Sequence, residues 1–204
     1  MTILALDTTS RTGGVAIRSH GKTVAAISLE APDGFAHVLF PAIERALGEA
    51  HLRLEEVDCF AAASGPGSFT GVRVGLSAVK GLAAATGKPA VAVSNLKALA
   101  TFGARAWRAT ILDARRNQAY VAVYDAGLNA VVPESVGNLS EWLQSLPEGE
   151  YEFIGLDRGA FQPPRDLAAA VAQVAENSEW SDPAVLDANY VRRSDAELFW
   201  KEDR

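Results

Sequence analysis

Residues 64–75 read SGPGSFTGVRVG: the chain leaves an apolar run, turns through Gly65, Pro66 and Gly67, and resumes with helical spacing. A strand, a glycine turn and a helix in that order belong to an α/β sheet, so the role of the turn governs how the rest is read. Its glycines allow positive φ and close backbone approach, Pro66 stiffens it, and Ser68 can cap the helix by accepting from the amide of residue 70 or 71. Such a helix start also presents free N–H groups and about half a positive charge, which suits an anion. Against a phosphate cradle, the loop lacks the lysine and Ser/Thr of G-x-x-x-x-G-K-S/T, and Pro66 removes an amide that a phosphate nest would use. Two readings stand, a structural turn and a ligand loop, and the turn is the simpler.

The helix that follows, Phe69 to Ala85, carries an apolar stripe of Phe69, Val72, Leu76, Val79 and Ala83. Gly71, Gly75, Ala78 and Leu82 make a second, small-residue stripe, and only Arg73, Ser77 and Lys80 mark a polar side. One sheet cannot cover so much apolar circumference, so a second helix, from this chain or another molecule, is expected against it. Upstream, TILALD (2–7), GGVAIRS (13–19) and TVAAISLE (23–30) read as strands joined by hairpin turns. From Phe35 the period changes: Phe35, Val38, Leu39, Ala42, Ile43, Ala46, Leu47 and Ala50 share one helical face, with Asp33 as N-cap. Pro41 inside that helix predicts a bend or a 3₁₀ start, and Phe40, off the main stripe, is either incidental or part of an interface.

VDCFAAAS (57–64) and KPAVAVS (88–94) read as strands and NLKALATFGARAW (95–107) as a helix, so residues 1–107 form a first lobe, β-β-β-α-β-α-β-α. Residues 108–204 form a second, shorter lobe. It has two strands around ARRNQ (114–118), a turn-rich stretch over 133–150 with a brief helix at SEWLQSL, a strand at EYEFIGLD (150–157) and a helix at RDLAAAVAQVAE (165–176). No repeat of fixed period and no linker is visible.

The whole chain, 204 residues and 49% hydrophobic, can bury one sizeable core or two small lobes that share one. A single cysteine, Cys59, lies in an apolar run and reads as core, which excludes a disulfide framework and fits a reducing compartment. The N-terminus has no signal-peptide pattern and no stretch reaches about 18 apolar residues, so a soluble cytoplasmic protein is expected. A formal charge of -6 argues against a large nucleic-acid footprint, and any RNA is expected to be held by a partner.

Catalytic constellations are sparse. His20, His37 and His51 lack metal-ligand spacing and read as surface or helix-face residues. Asp7, after a strand and before Thr8, Thr9 and Ser10, is placed either as a phosphate-facing or metal-facing carboxylate or as one that satisfies its own turn. Asp113, Arg115 and Arg116 form either an anion site or a solvated hairpin turn with a local ion pair.

Taken in order, ILALDTTS, SGPGSFTGVRVGLSAVKGLA, LDARRNQAY and ANYVRRSDAELFW resemble the TsaB (YeaZ) family over almost the whole chain, with GPGSFTG the specific motif. The resemblance implies an α/β fold of the actin-like, sugar-kinase and Hsp70 ATPase (ASKHA) type, with two lobes of mixed sheets and flanking helices. It implies a non-catalytic partner of the TsaD subunit in N6-threonylcarbamoylation of adenosine 37 of tRNA, acting beside the ATPase TsaE and the enzyme TsaC. The chain alone is then a homodimer, contact with tRNA is indirect, and no cofactor is expected. TsaD carries its metal on a histidine pair spaced HxxxH plus an aspartate; SNLKALATFG here has no histidine, so no metal and no catalytic residue is expected. The phosphate loop and Gly-Gly adenosine turn of the fold are also missing at LDARRN and FIGLDRGAF. Family members associate through helices of the first lobe, which assigns the partner interface to Phe35, Val38, Leu39, Phe40, Ile43, Phe69, Val72, Arg73, Leu76, Val79 and Lys80. Asp7, Thr8, Thr9, Gly65, Gly67 and Ser68 remain as a vestigial phosphate or anion site. The competing reading is an enzyme in its own right, an actin-fold ATPase using Asp7 and the GPGSFTG helix start, or a glycoprotease.

Overall fold

A computed structural model describes residues 1–157, 159–162 and 165–191. The chain opens with β1 (Thr2–Asp7), β2 (Thr12–Ser19) and β3 (Lys22–Glu30), an antiparallel meander. The crossover α1 (Leu39–Glu49) leads to β4 (Cys59–Ala63), and α2 (Phe69–Thr86) to β5 (Ala90–Val93). Both β4 and β5 run parallel to β1, giving one five-stranded sheet in the order β3-β2-β1-β4-β5. Strand β1 is apolar on both faces because both are covered. Leu4 and Leu6 pack toward α1 and α2, while Ile3 and Ala5 meet α5 (Ala168–Glu176).

The short helix α3 (Asn95–Ala100) joins this sheet to a second one, made of β6 (Trp107–Asp113), β7 (Gln118–Tyr124), β8 (Ala130–Asn138) and β9 (Tyr151–Ile154) in the order β8-β7-β6-β9. Ala98 and Leu99 of α3 pack with the first sheet, and Leu96 and Ala100 with Ala122 and Tyr124 of the second. Between β8 and β9 runs α4 (Leu139–Ser145), whose Trp142 covers the opposite face of that sheet. The second sheet repeats the strand order of the first with one strand fewer, a likeness with no counterpart in the residue pattern.

Three expectations change. The first helix begins at Leu39, four residues later than its apolar stripe, and its N-cap is Val38 with no side-chain bond; Asp33 does not cap it. The amides of Val38 and Leu39 both reach the Phe35 carbonyl, at 3.1 and 3.0 Å, so the lead-in is a tight turn. Pro41 then falls in the first helical turn, where its missing N–H has no intrahelical acceptor to lose. Helix α3 stops at Ala100 instead of Trp107, because the amides of Ala104 and Arg105 turn to the Glu152 carboxylate, at 2.7 and 2.8 Å, and β6 starts. Strand β8 lies mostly in the stretch read as turn-rich. Its Pro133 is tolerated because β8 is a sheet edge and the ladder slips around Pro133–Glu134, between the pairs Val121↔Ser135 and Val123↔Val132.

Candidate functional site

The ends of β1 and β4 bring the LDTTS and GPGSFTG loops together. A Cβ on Gly67 would sit 2.6 Å from the Thr9 carbonyl oxygen, one on Gly71 2.0 Å from that of Thr8, and one on Gly75 2.6 Å from Thr8 Oγ1. The glycines therefore let the first two turns of α2 rest directly on Thr8 and Thr9. Ser68 donates its amide to the Thr9 carbonyl at 2.7 Å, and its hydroxyl accepts from the Gly71 amide at 3.2 Å, the cap that the sequence suggested. Thr8 Oγ1 donates to the Gly71 carbonyl at 2.7 Å. Asn95 ties in α3: Nδ2 donates to Thr9 Oγ1 at 2.6 Å, and Oδ1 accepts from the Gly65 amide at 3.0 Å.

Asp7 is buried in the same cluster. One carboxylate oxygen accepts from the Thr9 amide at 2.9 Å and the Thr9 hydroxyl at 2.7 Å, and the other from the Leu167 amide at 3.0 Å, at the start of α5. Burial pushes its carboxyl above the ordinary 3.8, against the pull of those three bonds. All six residues assigned to a vestigial anion site, Asp7, Thr8, Thr9, Gly65, Gly67 and Ser68, are thus neighbours. The donors and acceptors described here are spent on one another, an arrangement that holds a helix on a sheet. Asp113 likewise accepts from the Arg115 amide at 2.7 Å, within its own turn.

The eleven residues assigned to a partner interface divide. Phe35, Leu39, Ile43, Val72, Leu76 and Val79 are buried in the core between the first sheet and its helices; Leu39 lines the floor of the groove described next, and the other five are removed from that assignment because they have almost no area to offer a partner. Val38 and Lys80 are half-buried, and Lys80 reaches the Ala184 carbonyl at 3.4 Å. Phe40, Phe69 and Arg73 face outward, the two rings 52% and 57% exposed. Together with Val74 and Ala78 they line a groove of about 510 Å³ between α1 and α2. The Arg73 guanidinium lies 3.3 Å over the Phe69 ring. Tyr190, which the sequence singled out only as part of a terminal motif, closes this cluster with its ring 6.5 Å from that of Phe69. The rest of that motif, residues 192–200, lies outside the described residues.

Helix α1 shares the core with α2, and other parts of the chain cover more of α2. Thr8 takes the glycine stripe, and a short 3₁₀ turn (Pro183–Val185) with buried Leu186 packs along the helix from the C-terminal part of the chain. Cys59 is buried with a free thiol, and the three histidines are exposed. Among the described residues no cluster of three or more His, Cys, Asp or Glu could hold a metal, and no helix is long and apolar enough to cross a membrane.

A family model described as TsaD, tRNA N6-adenosine threonylcarbamoyltransferase, matches residues 29–188. The tRNA threonylcarbamoyladenosine biosynthesis protein TsaB of Bacillus subtilis is 29% identical over the full length of both chains. That of Haemophilus influenzae is 32% identical over 72% of this chain and 63% of its own. In structure, YeaZ from Pseudomonas aeruginosa superposes with a TM-score of 0.71 over 93% of this chain and 99% of its own, at 26% identity. The fold is that of the YeaZ structures, two mixed sheets with flanking helices, as the motifs implied.

Proposed function

The chain belongs to the TsaB (YeaZ) family, within the wider TsaD family, and on that footing we propose that it serves tRNA threonylcarbamoyladenosine biosynthesis as the non-catalytic partner of a TsaD subunit. The observation that carries the reading is the groove between α1 and α2. Its apolar rim side chains are outward and unspent, whereas the residues with catalytic appearance are consumed in packing. Covering Phe40 and Phe69 removes about 200 Å² of apolar surface, or about 5 kcal/mol gross at 25 cal/mol per Å². Association costs about 4–15 kcal/mol in lost freedom, so these two rings can anchor an interface but need further contacts around them.

On this reading TsaE and tRNA are engaged through the pair with TsaD, and the chain alone uses the same apolar rim to form a homodimer. Light scattering after size exclusion, with the chain alone and mixed with TsaD from the same organism, tests the association. A threonylcarbamoylation assay omitting each component in turn tests the role. A stoichiometric complex and loss of modification without this chain are expected; a chain that ignores TsaD and hydrolyses ATP alone would overturn the proposal.

A further inference from the structure

The segment after the 3₁₀ turn follows α2 back toward its start. Lys80 touches Ala184, Leu186 enters the core, and the Asn189 amide donates to the Ser64 carbonyl at 2.8 Å, beside the glycine turn. The next residue, Tyr190, is 49% exposed and lies beside Phe69 at the edge of the groove, with the Arg73 guanidinium 5.8 Å from its ring centroid. The Asn189 side chain is held from the second sheet. Its Nδ2 donates to Glu134 Oε2 at 2.6 Å, while Glu134 Oε1 accepts from the Tyr124 hydroxyl at 2.5 Å and from the Ser94 hydroxyl.

Glu134 stands where the β8 ladder slips, and such a bulge re-aims a side chain that a regular edge strand would direct elsewhere. Burial first, and then the neighbouring Glu134 carboxylate, push the Tyr124 phenol upward, so it stays a hydrogen-bond donor to Glu134. All three neighbours of Glu134 named here are neutral donors, an arrangement that fixes direction more than it neutralises charge.

We propose that residues 186–190 form a strap completing the docking surface, in which Tyr190 contacts the partner subunit and Glu134, through Asn189, positions it. The inference rests on the groove being the TsaD-binding face. It adds a second ring beside the Phe69–Arg73 stack: the Tyr190 ring lies 6.5 Å from that of Phe69 with the Arg73 guanidinium near both, and aromatic and arginine side chains dominate interface energetics.

The test is TsaD affinity of the full chain by calorimetry, with circular dichroism and Tm recorded for each variant. Tyr190→Ala, an exposed change, should weaken binding at least tenfold at unchanged Tm. Glu134→Ala should weaken it about tenfold, and the double variant no more than Tyr190→Ala alone, since Glu134 acts through Tyr190. Glu134→Gln should bind within about twofold of the parent, because a turned Asn189 amide still meets it. Asn189→Ala repeats the Glu134→Ala effect without touching Tyr124 or Ser94. Parent-like binding by Tyr190→Ala, or losses that multiply in the double variant, would overturn the strap alone. Failure of the parent chain to bind TsaD would overturn the docking face and the strap together.

Discussion

Helix α2 meets its surroundings in two ways. At its N-terminal turns, glycines press its backbone onto Thr8 and Thr9, and Asp7, Asn95 and Ser68 each hydrogen-bond to Thr9 there. Along its outer flank, Phe69 and Arg73 stack on each other and, with Phe40 across the groove, remain open to solvent. The first region holds the residue types associated with chemistry, and the second a plain helical surface. Polar groups that are fully paired inside a fold have little left for a ligand, whereas outward apolar area is free to be covered by a partner.

The largest effect that would break this contrast is at Gly71. Its Cβ would sit 2.0 Å from a backbone oxygen that cannot rotate away, so Gly71→Ala should lose roughly 3 kcal/mol or more in urea unfolding. A parent-like midpoint would mean that the loop is loose enough for a ligand after all. Asp7→Ala comes next, because it strands two amides and a hydroxyl in the interior. A loss of about 2–3 kcal/mol in thermal or urea unfolding is expected, with TsaD-dependent modification retained wherever the variant stays folded. Abolished modification by a fully folded Asp7→Ala chain would return Asp7 to catalysis.

On the outer flank, Phe69→Asp or Phe40→Asp should leave stability within about 0.5 kcal/mol of the parent. Either should cost at least about 2 kcal/mol of TsaD affinity, roughly thirtyfold by calorimetry. An affinity drop that merely tracks a fall in Tm would place these rings with the packed region. The smallest effect concerns Cys59, in the strand that feeds the loop. Burial, followed by the charge of Asp58, pushes its thiol from 9.0 up to about 12. A folded value above the unfolded one contributes stability in full below pH 9, which is lost as pH rises toward 12. The parent should therefore weaken with pH above 9 along a steeper slope than Cys59→Ala, which keeps only the contributions of other groups such as Tyr124, and Cys59 should resist alkylation until the chain unfolds.

Much of the first half was legible because its signals are local. Short apolar runs between turn residues mark β1 to β3, and the Ser68 cap and helical stripe mark α2. The start of α1 was misread because its stripe begins at Phe35, which is buried from within a turn and not from a helix. Strand β8 escaped because Pro133 and a polar composition look like loop until a neighbouring strand supplies the pairing. The interface was half legible: periodicity identified the apolar residues of α1 and α2 but not which of them the chain would bury itself. Tyr190 and Glu134 had no local signal, since their role comes from contacts made far along the chain.

By itself the sequence determined the element order of residues 1–107, the glycine turn before α2, the buried cysteine and the family, all written in neighbours a few positions apart. Only the tertiary structure decided that the glycines of that turn make room for Thr8 and Thr9, that Asp7 spends its oxygens on Leu167 and Thr9, and that six of eleven interface candidates are interior. Burial and hydrogen-bond pairing join residues as far apart as Asp7 and Leu167, and no periodicity within a single element carries that information.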